Sequence, residues 1–302
     1  MRRAAVALLV LAAAGAALGV AHAAFPGRDG RIVFAARIES DWELYSMRSD
    51  GSGVRKLTNN LLDDSAAVWS PDGSKIVFRS ERSGNPEIYV INANGRNAHR
   101  ITHWALPDTK PNWSPDGKRI VFQRFEEGGR GFVPIQADIA VVNTNGKGLR
   151  RLTRTTADDL NPVWSPRGNQ IAFRSDRDGN WELYTMRTNG SAVTRLTDTA
   201  AVEVNPTWSP NGRLLAFASD RDEAGNFEIY VMNPDGSGVR RLTNDPANDI
   251  EPSWAPSGRR LLFTSDRSGS LQIYSMAADG SGVRQLTTRG FASRAADWQP
   301  LH

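Results

Sequence analysis

The stretch Trp69-Ser70-Pro71-Asp72-Gly73-Ser74-Lys75-Ile76-Val77-Phe78 recurs along this chain, with its tryptophan at Trp113, Trp164, Trp208 and Trp254. A stub, Trp298-Gln299-Pro300, stands near the end. Successive tryptophans are 44, 51, 44, 46 and 44 residues apart. A period of this size is the mark of a repeat architecture, in which one supersecondary unit covers its neighbour's apolar face. Each copy reads as a strand end, a tight turn and a second strand. Proline cannot donate to a ladder and ends the first strand. Asp-Gly offers the positive φ of a two-residue hairpin. Ile76-Val77-Phe78 is the β-branched and aromatic sequence of a buried strand.

Four segment types recur six times each. The tryptophan strand is the first. The second is Ile32-Val33-Phe34 and its equivalents beginning at Ile76, Ile120, Ile171, Leu215 and Leu261. The third lies at Leu44, Ile88, Ile139, Leu183, Ile229 and Ile273. The fourth ends in threonine at Thr58, Thr102, Thr153, Thr197, Thr243 and Thr287. Four strands in each of six units predict an all-β fold, a six-bladed β-propeller. The N-terminal side supplies three strands without a tryptophan strand, and the C-terminal side a tryptophan strand alone. Together they complete one blade, closing the ring and removing its free edges.

The fold is expected to occupy residues 24–302. Before it, Arg2 and Arg3 precede an apolar run from Ala4 to Val20 and the small-x-small site Ala21-His22-Ala23. Residues 1–23 therefore read as a secretory signal peptide, with the mature chain starting at Ala24 or Phe25 and no membrane span left after cleavage. The expected location is periplasmic or extracellular. The chain has no cysteine, so neither a disulfide nor a thiolate metal site can form. The formal charge is +4, and the leader's two arginines account for half of it. Acids and bases are interspersed with no polybasic block, which argues against a nucleic-acid partner.

The repeats Trp-Ser-Pro-Asp-Gly … Ile-Val-Phe … Ser-Asp-Arg-x-Gly-Asn … Ile-Tyr … Leu-Thr resemble the TolB-type β-propeller family. Ser175-Asp176-Arg177-Asp178-Gly179-Asn180 and Ser219-Asp220-Arg221 match its loop between the second and third strands. The resemblance covers nearly all of residues 24–302 and implies the propeller fold. It departs from the family's namesake in lacking an α/β domain ahead of the propeller.

Strand direction sorts the loops. Tryptophan strands run from one face, the top, to the tight Pro-Asp-Gly turns at the bottom. The longer loops, between second and third strands and between blades, lie on top, where function usually resides. An acid stands five residues before each of five tryptophans: Asp64, Asp108, Asp159, Glu203 and Asp249. The sixth position is Ser293, followed by Arg294. On the innermost strand these acids would ring the channel mouth and attract a cation, an amine or a basic segment. Alternatively each caps its own turn and pairs with a loop arginine such as Arg82, Arg177, Arg221 or Arg267. Apolar residues precede the third strand at Trp42, Pro86, Trp181, Phe227 and Leu271, either as partner anchors or as packing between blades. The long third unit carries extra residues from Phe125 to Ile135, including Phe132, whose glycines give mobility and whose apolar end docks on a partner or folds back.

No Gly-x-Ser-x-Gly elbow occurs, and the histidines after the leader are only His99, His103 and His302. The expectation is a monomeric, non-catalytic binder of a protein or cell-envelope polymer, without cofactor or metal. The alternative is a carbohydrate-active enzyme, a glycan hydrolase or lyase, using channel-mouth carboxylates.

Overall fold

A computed structural model describes residues 24–38, 40–126, 136–288 and 292–302. Six four-stranded antiparallel sheets form the blades of a propeller. Inner strands are Asp64–Trp69, Asp108–Trp113, Asp159–Trp164, Glu203–Trp208 and Asp249–Trp254, in blades 2 to 6. Blade 1 is assembled from both chain ends: Ala292–Leu301 pairs with Arg28–Arg37, Ile32 opposite Trp298. Residues 255 to 273 apart thus share one ladder, which fastens the ring.

The second, third and outer strands follow outward in each blade, the outer ones only two residues long. The third strand and the Leu-Thr segment are tied by one device. The threonine hydroxyl of the segment accepts a third-strand N–H, as Thr153 Oγ1 does from Ile139 N at 2.9 Å. It then donates to the side chain one residue earlier, as Thr153 does to Asp138 at 2.9 Å and Thr243 to Glu228 at 2.5 Å. In blade 6 Gln272 takes the acid's place, accepting from Thr287 at 2.6 Å. The recurrent threonine therefore satisfies two buried polar groups at once.

The six repeat tryptophans pack between blades, each at most 2 % exposed. Phenylalanine on the second strand stacks on tyrosine of the third, with ring centroids 5.6–5.9 Å apart in five blades. Such aromatic pairs contribute about 0.5–1.5 kcal/mol each beyond the area they bury.

One feature differs from the sequence-based expectation. The Pro-Asp-Gly turn is not a two-residue hairpin. Ser70 N donates to Lys75 O at 2.8 Å, and Gly73 N to Ser70 O at 2.9 Å, enclosing a four-residue loop built on a type I turn. Only Gly73 takes positive φ there; Asp72 instead accepts from Ser74 N at 3.0 Å. The Asn-Gly and Asp-Gly turns also touch the preceding blade. A Cβ on Gly236, which has φ 87°, would stand 2.2 Å from Leu196 O, so the blades could not close with a larger residue there.

Every inner strand breaks its ladder at its third residue. Ala66, Lys110, Asn161, Asn205, Glu251 and Ala295 have φ between 53° and 57°, each at a register shift. None is glycine, so the bulge is a maintained strain that re-aims one side chain per blade. Below this level Phe25 is 4 % exposed and belongs to an apolar cluster containing Val68, Trp113, Val163 and Trp208. These come from four blades, and a residue that packs among them stoppers the bottom of the channel.

Candidate functional site

The five acids of the expected channel-mouth ring are fully buried at the top of their strands. Each is held by an arginine. Arg82 reaches Asp64 at 2.6 Å, Arg177 reaches Asp159 at 2.7 Å and Arg221 reaches Glu203 at 2.9 Å. Arg267 contacts both oxygens of Asp249, at 2.8 and 2.6 Å. In blade 3 the partner comes from the second strand itself: Arg124 grips Asp108 in bidentate fashion at 2.8 and 2.6 Å. The acids thus follow the pairing alternative rather than facing the channel as a free ring.

The Ser-Asp-Arg tripeptide supplies the rest of this clamp. Ser175 Oγ accepts from Arg177 Nε at 3.0 Å, and Asp176 accepts the Asp158 N–H at 2.9 Å. The guanidinium of Arg177 lies 5.4 Å from the Phe173 ring and 4.9 Å from Tyr184. Burial outweighs the arginine at the most enclosed sites. It pushes the carboxyl groups of Asp108 and Asp249 up to about 6 against the lowering pull of Arg124 and Arg267.

The aromatic candidates divide. Trp42 and Trp181 are half-buried on the top face, beneath Arg294 at 4.2 Å and Arg174 at 4.4 Å. Phe227 is only 4 % exposed and packs in the cluster of Val204, Trp254 and Phe263, between blades 5 and 6. Phe125 is half-buried at the end of its strand, opposite Ala137; Phe132 lies outside the described residues.

Sequence reasoning missed three exposed apolar residues on the top loops. Leu61 is 90 % exposed, and Leu62 and Trp104 about 40 %, on the two top loops that connect blades 1 to 2 and 2 to 3. Trp104 is held upright: its Nε1 donates to Phe125 O at 3.2 Å, and Arg124 lies 4.9 Å from its ring. The signal was present as apolar residues breaking otherwise polar interblade loops.

Lys110 in blade 3 and Glu251 in blade 6 interact electrostatically although two blades stand between them on either side of the ring. Burial, reinforced by Arg294, Arg79 and Arg174, brings the Lys110 ammonium down to about 7. Among the described residues no cluster of three or more His, Asp or Glu side chains is arranged to hold a metal ion.

Six repeat-built blades closed into a ring, five of them with an arginine-clamped acid at the head of the inner strand, define a β-propeller of a particular sequence class. The TolB beta propeller domain matches residues 16–136, 132–221 and 198–301, and the chain belongs to that family. Among solved structures, TolB from Acinetobacter baumannii is 23 % identical, with a TM-score of 0.79 over 90 % of this chain and 67 % of that one. A structure from Agrobacterium tumefaciens assigned to TolB is 22 % identical, with a TM-score of 0.70 over 91 % of this chain and 100 % of that one. An oligogalacturonate lyase from Vibrio parahaemolyticus shares 12 % identity and a TM-score of 0.60, covering 88 % of this chain and 78 % of that one. At such identities the likeness is one of fold, and it spans both a TolB and a lyase.

Proposed function

We propose that this protein is an exported, non-catalytic propeller that acts as a monomer and binds a protein or an envelope polymer through its top face. The observation that carries the reading is the exposure of Leu61, Leu62 and Trp104 on two successive top loops, with the half-buried Phe125 and Trp42 on the same face. Exposed apolar side chains gathered on one sector are costly unless a partner covers them. On the opposite side Val54, Leu149, Val193, Val239 and Val283 recur at the same turn in five blades, as the repeat dictates. Aromatic anchors with arginine neighbours are the composition that interface centres favour. Export rests on the basic, apolar and small-residue leader pattern, and the likeness to TolB structures agrees with it.

The alternative is a glycan hydrolase or lyase working through Asp64, Asp108, Asp159, Glu203 or Asp249. A general acid or nucleophile must reach its substrate. Full burial beneath an arginine favours a structural role for these five.

Immobilised protein, exposed to an envelope fraction, tests the binding reading. The parent and a Val239→Ser control should recover the same partner, and Leu61→Ser/Leu62→Ser and Trp104→Ser should lose it. Equal recovery by all four would place the interface elsewhere.

A further inference from the structure

We propose that the bottom face of the propeller docks on a membrane surface that carries anionic headgroups. Two sets of tight turns, with the strand ends that flank them, make this face. Between inner and second strands they are residues 70–75, 114–119, 165–170, 209–214 and 255–260, with 26–31 in blade 1, where the chain ends meet. Between third and outer strands they are residues 48–55, 92–99, 143–150, 187–194, 233–240 and 277–284. Together they hold seventeen arginines and lysines, six aspartates and no glutamate, a net charge of +11. Residues 24–302 as a whole carry only +2, so the rest of the propeller carries −9. No turn holds more than two cations, so nothing along the chain reads as a basic block. Closing the ring places all twelve turns on one side.

These charges are not neutralised where they stand. Fourteen of the seventeen cations are exposed. Among the described residues the only ion pair on this face joins Arg119 to Asp116, at 4.0 Å. The aspartates are committed to turns. Asp50, Asp72, Asp116, Asp235 and Asp279 each accept the backbone N–H two residues on, at 2.9–3.1 Å, and Asp29 accepts that of Ser257 at 2.9 Å. Arg150, Arg240 and Arg284 reach the next blade, but their acceptors there are neutral backbone carbonyls, at 2.9–3.3 Å. The repeats provide internal controls. Where blades 2 and 3 carry Arg96 and Lys147, the other four carry Ser52, Ser191, Ser237 and Ser281. The same turn closes with serine, so the fold does not impose these cations.

The distribution of the charge selects the partner. Every blade contributes between two and four of the cations. Each kind of turn has the same length in all six blades, so the charge is spread over a level disc. A bilayer presents negative charge in two dimensions and meets six blades at once, whereas a linear polyanion crosses only part of the disc. Among the cations stand the aliphatic residues of the repeat, Val54, Leu149, Val193, Val239 and Val283, 39–51 % exposed. Such side chains gain by entering the boundary between headgroups and acyl chains. Among the described residues no aromatic side chain is exposed on this face for a base to stack on, which disfavours a nucleic acid. The negative remainder of the propeller is repelled by the same surface, so docking holds the top loops, with Leu61 and Trp104, away from the membrane. The two faces share no residue, and this inference and the top-face reading stand or fall separately.

Co-sedimentation of residues 24–302, which contain the whole propeller, with vesicles of equal parts phosphatidylglycerol and phosphatidylcholine tests the proposal. Binding is expected to these vesicles and not to phosphatidylcholine alone, and it should weaken as salt rises. The combined variant Arg96→Gln/Lys118→Gln/Arg187→Gln/Arg213→Gln/Arg259→Gln removes five exposed cations whose side chains hold no hydrogen bond or ion pair among the described residues. It should keep the parental melting temperature and weaken vesicle binding by about tenfold or more. Arg37→Gln/Arg154→Gln, exposed on the top face, should leave binding unchanged. Val283→Trp removes no charge, and the emission of its indole should shift to the blue with the anionic vesicles only. Equal binding to both kinds of vesicle, binding indifferent to the five substitutions, or no shift at Val283→Trp overturns the proposal. Retention on heparin without vesicle binding assigns the face to a soluble polyanion and overturns it as well.

Discussion

Replacing Arg267 by methionine probes whether the acid–arginine clamp is a buried structural pair or a solvent-reaching ring. The substitution keeps an aliphatic stem near the Phe263 and Tyr274 rings, which lie 5.3 and 5.0 Å from the guanidinium. It removes both contacts to Asp249, whose side chain has no exposure, while the arginine side chain itself is 20 % exposed. Removing one partner of a buried pair costs about 3–5 kcal/mol; partial exposure of Arg267 places the expected loss near the lower limit, about 3 kcal/mol. At about 2–4 °C per kcal/mol for a domain approaching this size, the melting temperature should fall by about 6–12 °C.

The loss should depend on pH in a defined direction. Burial raises the Asp249 carboxyl to about 6 even with Arg267 present, and removal of the arginine raises it further. A carboxyl whose folded-state value lies above its unfolded value favours folding while it is protonated. That contribution is complete below the unfolded value and is lost as pH rises through the folded one. The parent and the variant both carry protonated Asp249 near pH 4.5, so the gap between them should be largest at pH 7.5 and shrink on acidification. Urea unfolding at the two pH values measures it. A gap below about 1 kcal/mol at pH 7.5, the value of an exposed pair, or a gap that does not change with pH, would refute the buried-clamp reasoning.

Four further outcomes can be checked. Deleting residues 291–302 removes the inner strand of blade 1, including the buried Trp298, and should unfold the ring cooperatively; melting like the parent would contradict the observed closure. Phe25→Ala should cost about 3–5 kcal/mol by opening a cavity at the channel floor, and an unchanged urea midpoint would show that the stopper is dispensable. Mass spectrometry of the exported protein should find Ala24 or Phe25 at its start, and persistence of residues 1–20 would contradict this cleavage. Calorimetry with calcium should detect no tight site at the acids, because arginines occupy their oxygens; stoichiometric binding abolished by Asp159→Asn and Asp249→Asn would reverse that conclusion.

The sequence by itself determined the number of blades, the four strands of each and the pairing of the chain ends. These follow from chemistry that acts over a few residues and repeats: proline and glycine in the turns, β-branched and aromatic strands, and threonine at a constant distance from an acid. The clamp was legible too, because Ser-Asp-Arg stands at a fixed offset from the inner-strand acid. The second buried acid position, at Glu43, Glu87, Asp138, Glu182 and Glu228, was equally periodic and could have been read from its spacing to the threonines. Only the tertiary structure decided which side chains the channel gathers. The left-handed bulge at Lys110 and Glu251 has no glycine to announce it, because ladder geometry rather than residue preference imposes the strain. Arg79 and Arg174 are equivalent in the repeat, whereas Lys110 and Arg294 each hold another position. Closing six blades brings the six inner strands around one axis, whatever their separation in sequence.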